Sequence, residues 1–111
     1  CGAAKINLAV RELPWFACLE KGVGARTGDG GKGGPEHRGT IHFEHSMKEI
    51  ESAWQQCSLG MLPDQPVIEM TIPSSLDNTL APPGCHVVQL FVQYIPYELR
   101  VDSFPAHLKN L

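Results

Sequence analysis

The sequence predicts an α+β domain, in which a small, mostly antiparallel or mixed sheet of about four strands carries one main helix on one face. Three observations predict this fold class. Residues 67–72 alternate apolar and polar side chains, as in a strand with one buried face. Residues 86–94 are apolar on both faces, so this strand needs cover on both sides and belongs inside a sheet. Residues 46–61 combine a helix start signal with an apolar stripe at helical spacing.

Length and charge restrict the function classes that need to be considered. The chain has 111 residues, about the size of one domain, with nine Lys and Arg against twelve Asp and Glu. The net charge of −3 comes without a basic stripe, so we expect no nucleic-acid partner. No apolar run approaches the ~20 residues that cross a bilayer, so we expect no transmembrane segment.

Four scattered cysteines form no C-x-x-C pair. Cys57 falls on the apolar stripe of the predicted helix and Cys85 at the entry to a predicted strand, both ordinary positions for buried free thiols. We therefore expect reduced thiols in an intracellular protein rather than a disulfide framework.

The first predicted strand covers residues 5–10, with Ile6, Leu8 and Val10 on its buried face. Pro14 excludes a continuing central strand, and we expect the two aromatic residues that follow it to anchor the next loop onto the core.

Residues 22–39 contain eight of the chain's eleven glycines and predict a flexible loop, because ordering glycine is entropically costly. Gly28, Gly30 and Gly33 have the G-x-G-x-x-G spacing of a dinucleotide fingerprint. No apolar strand precedes them and no helix follows, so we interpret the motif as loop sequence.

A second strand is predicted over residues 40–44, with Ile41 and Phe43 inward, and a helix follows it. The Ser46 hydroxyl can accept the Glu49 amide, and the Glu49 carboxylate can reach back to the Ser46 amide, which is a capping box. An apolar stripe continues through Met47, Ile50, Trp54, Cys57 and Met61, and Gly60 followed by Pro63 ends the helix.

The last two predicted strands, 67–72 and 86–94, are separated by a loop too long for a tight hairpin. Gln89 and Gln93 are the polar residues of the otherwise apolar final strand. Since buried amides need partners, their face meets either polar groups of the protein or a ligand cavity, and the sequence leaves both open.

Several side chains could carry chemistry, but the sequence forms no complete catalytic constellation. His37, His42 and His45 with Glu44 could suggest a metal site, yet His45 points away from His42 on a strand, and we expect solvated residues at a strand end. Ser74 and Ser75 lack a nucleophile elbow and are expected to hydrogen-bond the loop backbone. Adjacent Cys85 and His86 project to opposite faces of a strand. We therefore assign no catalytic, cofactor-binding or metal residue.

Several motifs carry a family resemblance. They are Pro66-Val67-Ile68-Glu69, Ile72-Pro73-Ser74-Ser75-Leu76-Asp77, Leu80-Ala81-Pro82-Pro83-Gly84 with His86-Val87-Val88, Tyr94-x-Pro96-Tyr97 and the strand at 5–10. With these motifs the chain resembles the flavin-dependent phytoene desaturase and amine oxidase-like oxidoreductases.

The resemblance implies a fragment of a larger enzyme. Residues 1–99 would be part of the substrate domain, with the flexible loop at 22–39, and residues 100–111 a divergent tail. The full-length parent would bind FAD through segments missing here and transfer hydride from substrate to flavin, in the mitochondrial matrix. The fragment would be inactive alone and bind no cofactor, with the remainder of the flavoprotein, or other proteins, as partner. Gln89, Phe91 and Gln93 would line the substrate cavity.

Two other hypotheses come from different classes. One is a self-standing α+β interaction module without catalytic activity, which would use an exposed sheet face or edge. The other is a small metal protein built on His37, His42 and His45.

Overall fold

A computed structural model describes residues 1–19 and 33–100 of the chain. Within them lie one α-helix and a four-stranded antiparallel sheet, which confirms the predicted α+β class. The elements in order are β1 (Gly2–Val10), a 3-10 turn (Pro35–His37), β2 (Ile41–His42), α1 (Met47–Ser58), β3 (Val67–Thr71), a second 3-10 turn (Pro73–Ser75) and β4 (His86–Ile95). No helix among these residues is long and apolar enough to cross a membrane.

The strand order in the sheet is β1-β4-β3-β2. The strand predicted from its two-sided apolar pattern, β4, therefore has a neighbour on each side, as expected. Its burial is uneven: His86 and Val88 are 7% and 4% exposed, whereas Phe91 is 41% exposed. The two-sided pattern thus placed the strand correctly, although part of its apolar surface remains open within the described residues.

Contacts divide the described residues into two units, the first of which comprises Cys1–Lys5, His42–Glu69 and residues 91–100. Its buried apolar residues are Ala53, Cys57 and Val67. Helix α1 packs through Ala53 and Cys57, whereas Met47 and Trp54 of the predicted stripe remain exposed, so the predicted stripe is only partly buried.

The start of α1 differs in one detail from the predicted capping box. The Ser46 hydroxyl accepts the Glu49 amide at 3.4 Å, as expected. The Glu49 carboxylate, however, accepts the amide of His45 at 2.9 Å, one residue earlier than predicted. At the other end Gly60 has φ +76°, which confirms the left-handed stop.

Among the described residues, the second unit comprises residues 6–19, 33–41 and Met70–Leu90. Its core is built on Met70, Ile72 and Val88, and the partly buried residues packed against them are Val10, Leu13, Phe16, Ile41 and Leu90. The alternation predicted for residues 67–72 therefore places Met70 and Ile72 as expected.

The prediction of which apolar side chains are buried near the two edges of the sheet is partly wrong. On the edge strand β1, Ile6 and Leu8 are 43% and 42% exposed, so of the three predicted inward residues only Val10 packs against a core. At the opposite edge, β2 has two residues instead of five, and Phe43 lies beyond it and is half exposed. An edge strand has one strand neighbour, so alternation alone does not guarantee that its apolar face is covered. Trp15 is likewise exposed rather than anchored.

The predicted glycine-rich loop at 22–39 falls mostly outside the described residues, as do residues 101–111 of the predicted tail. Residues 33–39 are described, and here the chain forms the turn Pro35–His37 with His37 only 6% exposed.

Candidate functional site

A cleft of about 460 Å³ lies beside the loop between β3 and β4, within the second unit. Its lining consists of residues from the two 3-10 turns, the loop and the start of β4: Arg38, Ser74, Ser75, Leu76, Asn78, Ala81, Pro82, Pro83, Gly84, Cys85 and His86. Much of this lining belongs to the motifs that carry the family resemblance. The cleft is therefore the candidate site of this chain.

Serine hydroxyls fix the walls of the cleft. The Val87 amide donates to Ser74 Oγ at 2.9 Å, and Ser75 Oγ donates to the His37 carbonyl at 2.7 Å. These bonds connect the turn Pro73–Ser75 to β4 and to the turn Pro35–His37. Both serines hydrogen-bond to the backbone as expected, but their partners lie on β4 and in the turn Pro35–His37 rather than in the loop itself. This engagement leaves neither arranged as an activated nucleophile.

Two cationic or ionisable side chains line the cleft. Arg38 is exposed, while His86 is buried and its Nδ1 has no hydrogen-bond partner within residues 1–19 and 33–100. The lining contains no carboxylate side chain. The Arg38 guanidinium is a cationic hydrogen-bond donor, so the cleft is better suited to acceptor oxygens than to a cation.

His37 supports the cleft from behind. Its Nε2 donates to the Pro14 carbonyl at 2.9 Å, and its Nδ1 accepts the Gly34 amide at 3.1 Å, which corresponds to the Nε2–H tautomer. The Phe16 ring lies 5.7 Å from the imidazole. Glu36 Oε1 is 3.1 Å from the same Nδ1, but its buried carboxylate has no hydrogen-bond partner in the described part of the chain. Both ring nitrogens of His37 are thus engaged, which leaves no lone pair for a metal.

The other two histidines of the predicted metal cluster, His42 and His45, pair with carboxylates in the first unit. His42 Nδ1 lies 3.2 Å from Glu44 Oε2, and His45 Nδ1 lies 3.7 Å from Glu49 Oε2. Glu44 is not solvated as predicted, because its side chain is 7% exposed and its Oε1 accepts the Ile68 amide at 2.5 Å. No group of three His, Cys, Asp or Glu side chains in the described ranges is placed to hold a metal ion. This arrangement gives the metal hypothesis no support.

Burial raises the pKa of Glu44, but hydrogen bonds from the amides of Ile68 and Glu44 itself, together with His42, outweigh it. The pKa of this carboxyl therefore lies below its ordinary value. No local pattern indicates this contact, because residues 44 and 68 are brought together only when β3 forms.

The three residues expected to line a substrate cavity lie on β4 and outside the cleft. Gln89 and Gln93 are half buried, and Phe91 is 41% exposed. Gln93 Nε2 donates to Glu69 Oε1 at 3.5 Å, so one of the two amides has a partner within the protein. Their role in lining a cavity stays a prediction.

Comparison with known proteins identifies relatives of this chain. Over 96 residues, or 86% of the chain, it is 44% identical to pyridine nucleotide-disulfide oxidoreductase domain-containing protein 2 of Mus musculus. The Rattus norvegicus protein of the same name is 42% identical over the same length. The chain spans only 16% of each relative. The predicted resemblance to an oxidoreductase is therefore confirmed as a resemblance to a segment of these proteins, while the flavin-dependent, amine oxidase-like grouping stays a prediction. No family model and no solved structure matches the chain.

Proposed function

We propose that this chain is a segment of the substrate domain of an FAD-dependent oxidoreductase, whose full-length form transfers hydride from a substrate to the flavin. The observation that carries the proposal is the 44% identity over 96 residues to a protein named for an oxidoreductase domain. The segment would comprise residues 1–99, followed by a divergent tail. The family resemblance also supports a mitochondrial-matrix location for the parent.

In this proposal the sheet forms a wall beside the substrate cavity. The exposed apolar side chains of Ile6, Leu8 and Phe91 support it, because the remainder of a larger protein would cover them. Gln89, Phe91 and Gln93 share one face of β4 since they are spaced by two and four residues, and on that face they would meet the substrate.

Catalysis would depend on the parent rather than on this chain. Flavin chemistry needs a cofactor that is held and oriented by protein groups. The sequence has no glycine fingerprint between a strand and a helix, where a dinucleotide pyrophosphate would bind. We therefore expect the 111-residue chain to bind no FAD.

The test compares two proteins, the chain alone and a longer product of its surrounding reading frame. Both are expressed with added FAD, and flavin absorbance per protein is measured after gel filtration. We expect stoichiometric flavin in the longer protein and none in the chain. Flavin bound to the chain alone, or a longer protein free of flavin, would contradict the proposal.

Within the longer protein, Phe91→Ala should weaken substrate binding, measured as a higher KM for flavin reduction. Gln55→Ala is the matched control, because Gln55 is exposed on α1 and bonds to its helix neighbour Glu51. Equal KM values for the two variants would remove Phe91 from the cavity wall.

A second candidate function is a self-standing interaction module without catalytic activity. The specific observation in its favour is the exposure of Ile6 and Leu8 on the edge strand β1, since an open strand edge can pair with another chain. The purified chain would then be monomeric and unfold cooperatively. Aggregation of the chain, or thermal unfolding over a broad temperature range, would count against this module. Either result would fit a fragment whose apolar surface is normally covered by the rest of a larger protein.

A further inference from the structure

Two cysteines far apart in sequence meet in the first unit. The Sγ atoms of Cys57 and Cys1 lie 2.6 Å apart. Cys57 lies on α1 and is 3% exposed, whereas Cys1 precedes β1 and is exposed. A disulfide bond is about 2.05 Å long, so the two sulfurs need little movement to become bonded.

We propose that Cys1 and Cys57 form an oxidation site, which hydrogen peroxide or a similar peroxide converts into an intrachain disulfide. The two cysteines have different roles because they differ in exposure. An oxidant in solution can reach the exposed Cys1 sulfur, while the surrounding protein shields Cys57. Cys57 is nevertheless held against Cys1, where it can react with the oxidised sulfur at high effective concentration.

The reaction has two steps that balance. Cys1 as thiolate attacks one peroxide oxygen, the O–O bond breaks, and the departing hydroxide takes a proton and leaves as water. Cys1 is then a sulfenic acid. The Cys57 thiol next attacks the Cys1 sulfur, the S–O bond breaks, and the hydroxyl leaves as a second water with the Cys57 proton. In total two thiols lose two electrons and two protons, and one peroxide is reduced to two waters.

The product would attach the start of β1 to α1. Such a bond restricts the unfolded chain over a long loop, and this restriction favours the folded state. We therefore expect the oxidised chain to unfold at a temperature at least about 5 °C higher than the reduced chain.

The experiment treats the reduced 111-residue chain with hydrogen peroxide and then alkylates the remaining thiols. Peptide mapping by mass spectrometry locates the oxidised cysteines. We expect the four thiols to fall to two, with one linked peptide that joins Cys1 to Cys57. Cys18, which is exposed, and Cys85, which is half exposed, are internal controls for pairing and should appear in no linked peptide.

Two variants separate the steps. Cys57→Ser should abolish the linked peptide and leave Cys1 as a sulfenic acid that dimedone traps. Because Cys57 is buried and its replacement can disturb folding, Cys1→Ser provides a second test at an exposed position, and it should protect Cys57 from oxidation. The double variant Cys18→Ser with Cys85→Ser should form the disulfide as the original chain does.

Two results would overturn the proposal. One is a chain that reacts with peroxide and forms no linked peptide between Cys1 and Cys57, and the other is a disulfide that joins any other pair. Both results are independent of flavin binding, so the oxidation site can fail while the proposed oxidoreductase origin stands.

Discussion

Glu44 Oε1 accepts the backbone amide of Ile68 at 2.5 Å, which joins the segment after β2 to the start of β3. The carboxylate is 7% exposed, and its other oxygen lies near His42. A single acidic side chain thus supplies the acceptor for a strand amide at the β2 side of the sheet. Hydrogen bonds to charged groups contribute about 1.5–3 kcal/mol, more than neutral ones.

Replacing Glu44 tests this contact and its pH dependence. Since the folded-state pKa is lowered, the charged carboxylate stabilises the fold above the ordinary pKa of 4.5 and loses this effect as pH falls through the lowered value. Glu44→Gln keeps an acceptor oxygen for the Ile68 amide and removes the charge, so it should cost about 1 kcal/mol at pH 7 in urea unfolding. The difference between the two proteins should shrink below about pH 4.5.

Glu51→Gln is the matched control for Glu44→Gln. Glu51 is exposed on α1 and accepts the Gln55 side-chain amide. Its replacement should change the unfolding free energy by less than about 0.5 kcal/mol. Equal losses for both variants would show that the Ile68 contact contributes nothing specific.

Two glycines should respond in opposite ways to alanine. Gly60 has φ +76°, and a Cβ built there would lie 3.0 Å from the Glu98 carbonyl oxygen, so Gly60→Ala should cost about 1–2 kcal/mol. Gly39 has no atom within 4 Å of such a Cβ, and its φ is not positive. Gly39→Ala should be neutral or stabilise by up to about 1 kcal/mol, because it restricts the unfolded chain. Thermal unfolding of both variants measures these changes in stability. A loss of stability in Gly39→Ala as large as in Gly60→Ala would refute the prediction.

Alanine substitution of two apolar residues of the second unit, Ile72 and Leu76, should lower the unfolding free energy by very different amounts. Ile72 is 2% exposed and packs in the cluster with Met70 and Val88, whereas Leu76 is 72% exposed. Ile72→Ala should lower the unfolding free energy by about 2–5 kcal/mol through lost burial and a cavity. Leu76→Ala should change it by about 0.5 kcal/mol or less. Urea denaturation with fitted slopes measures both, and a comparable loss for Leu76→Ala would mean that this side chain is covered in solution.

The loop beside the cleft offers a test by NMR. Asp77 Oδ1 accepts the hydroxyl of Thr79 at 2.6 Å and its amide at 2.9 Å, and these bonds, the hydroxyl first, hold the pKa of Asp77 below its ordinary value. Thr79→Val keeps the shape and the amide but removes the hydroxyl, so the pKa of Asp77 should rise toward its ordinary value. Carbon-detected titration of the Asp77 carboxyl measures this change. An unchanged pKa would show that the hydroxyl bond does not persist in solution.

Local sequence patterns predicted the features that are set by residues close together in sequence, such as the helix ends and the buried face of a strand. The capping signal at Ser46 and the stop at Gly60 placed α1 within two residues at each end, since both act within a single turn of backbone. The alternation at Met70 and Ile72 identified the face that packs in the core. The motifs of residues 66–99 identified the relatives.

The candidate cleft was predictable only in part. The serine hydroxyls were expected to bond to the backbone, but their partners Val87 and the His37 carbonyl were not. The buried His37 belongs to a stretch whose glycine content predicted a flexible loop. Composition reports the entropic cost of ordering a stretch, whereas a single side chain that finds partners 23 residues away can fix its position.

The sequence by itself determined the periodicities, the helix ends and the interior position of β4, because these follow from backbone geometry and from which faces are apolar. Only the tertiary structure decided which apolar side chains remain exposed. It also decided that Glu44 contacts Ile68 and that Cys1 lies beside Cys57. These contacts join residues 24 and 56 positions apart, and their partners depend on how the strands and the helix pack rather than on any local pattern.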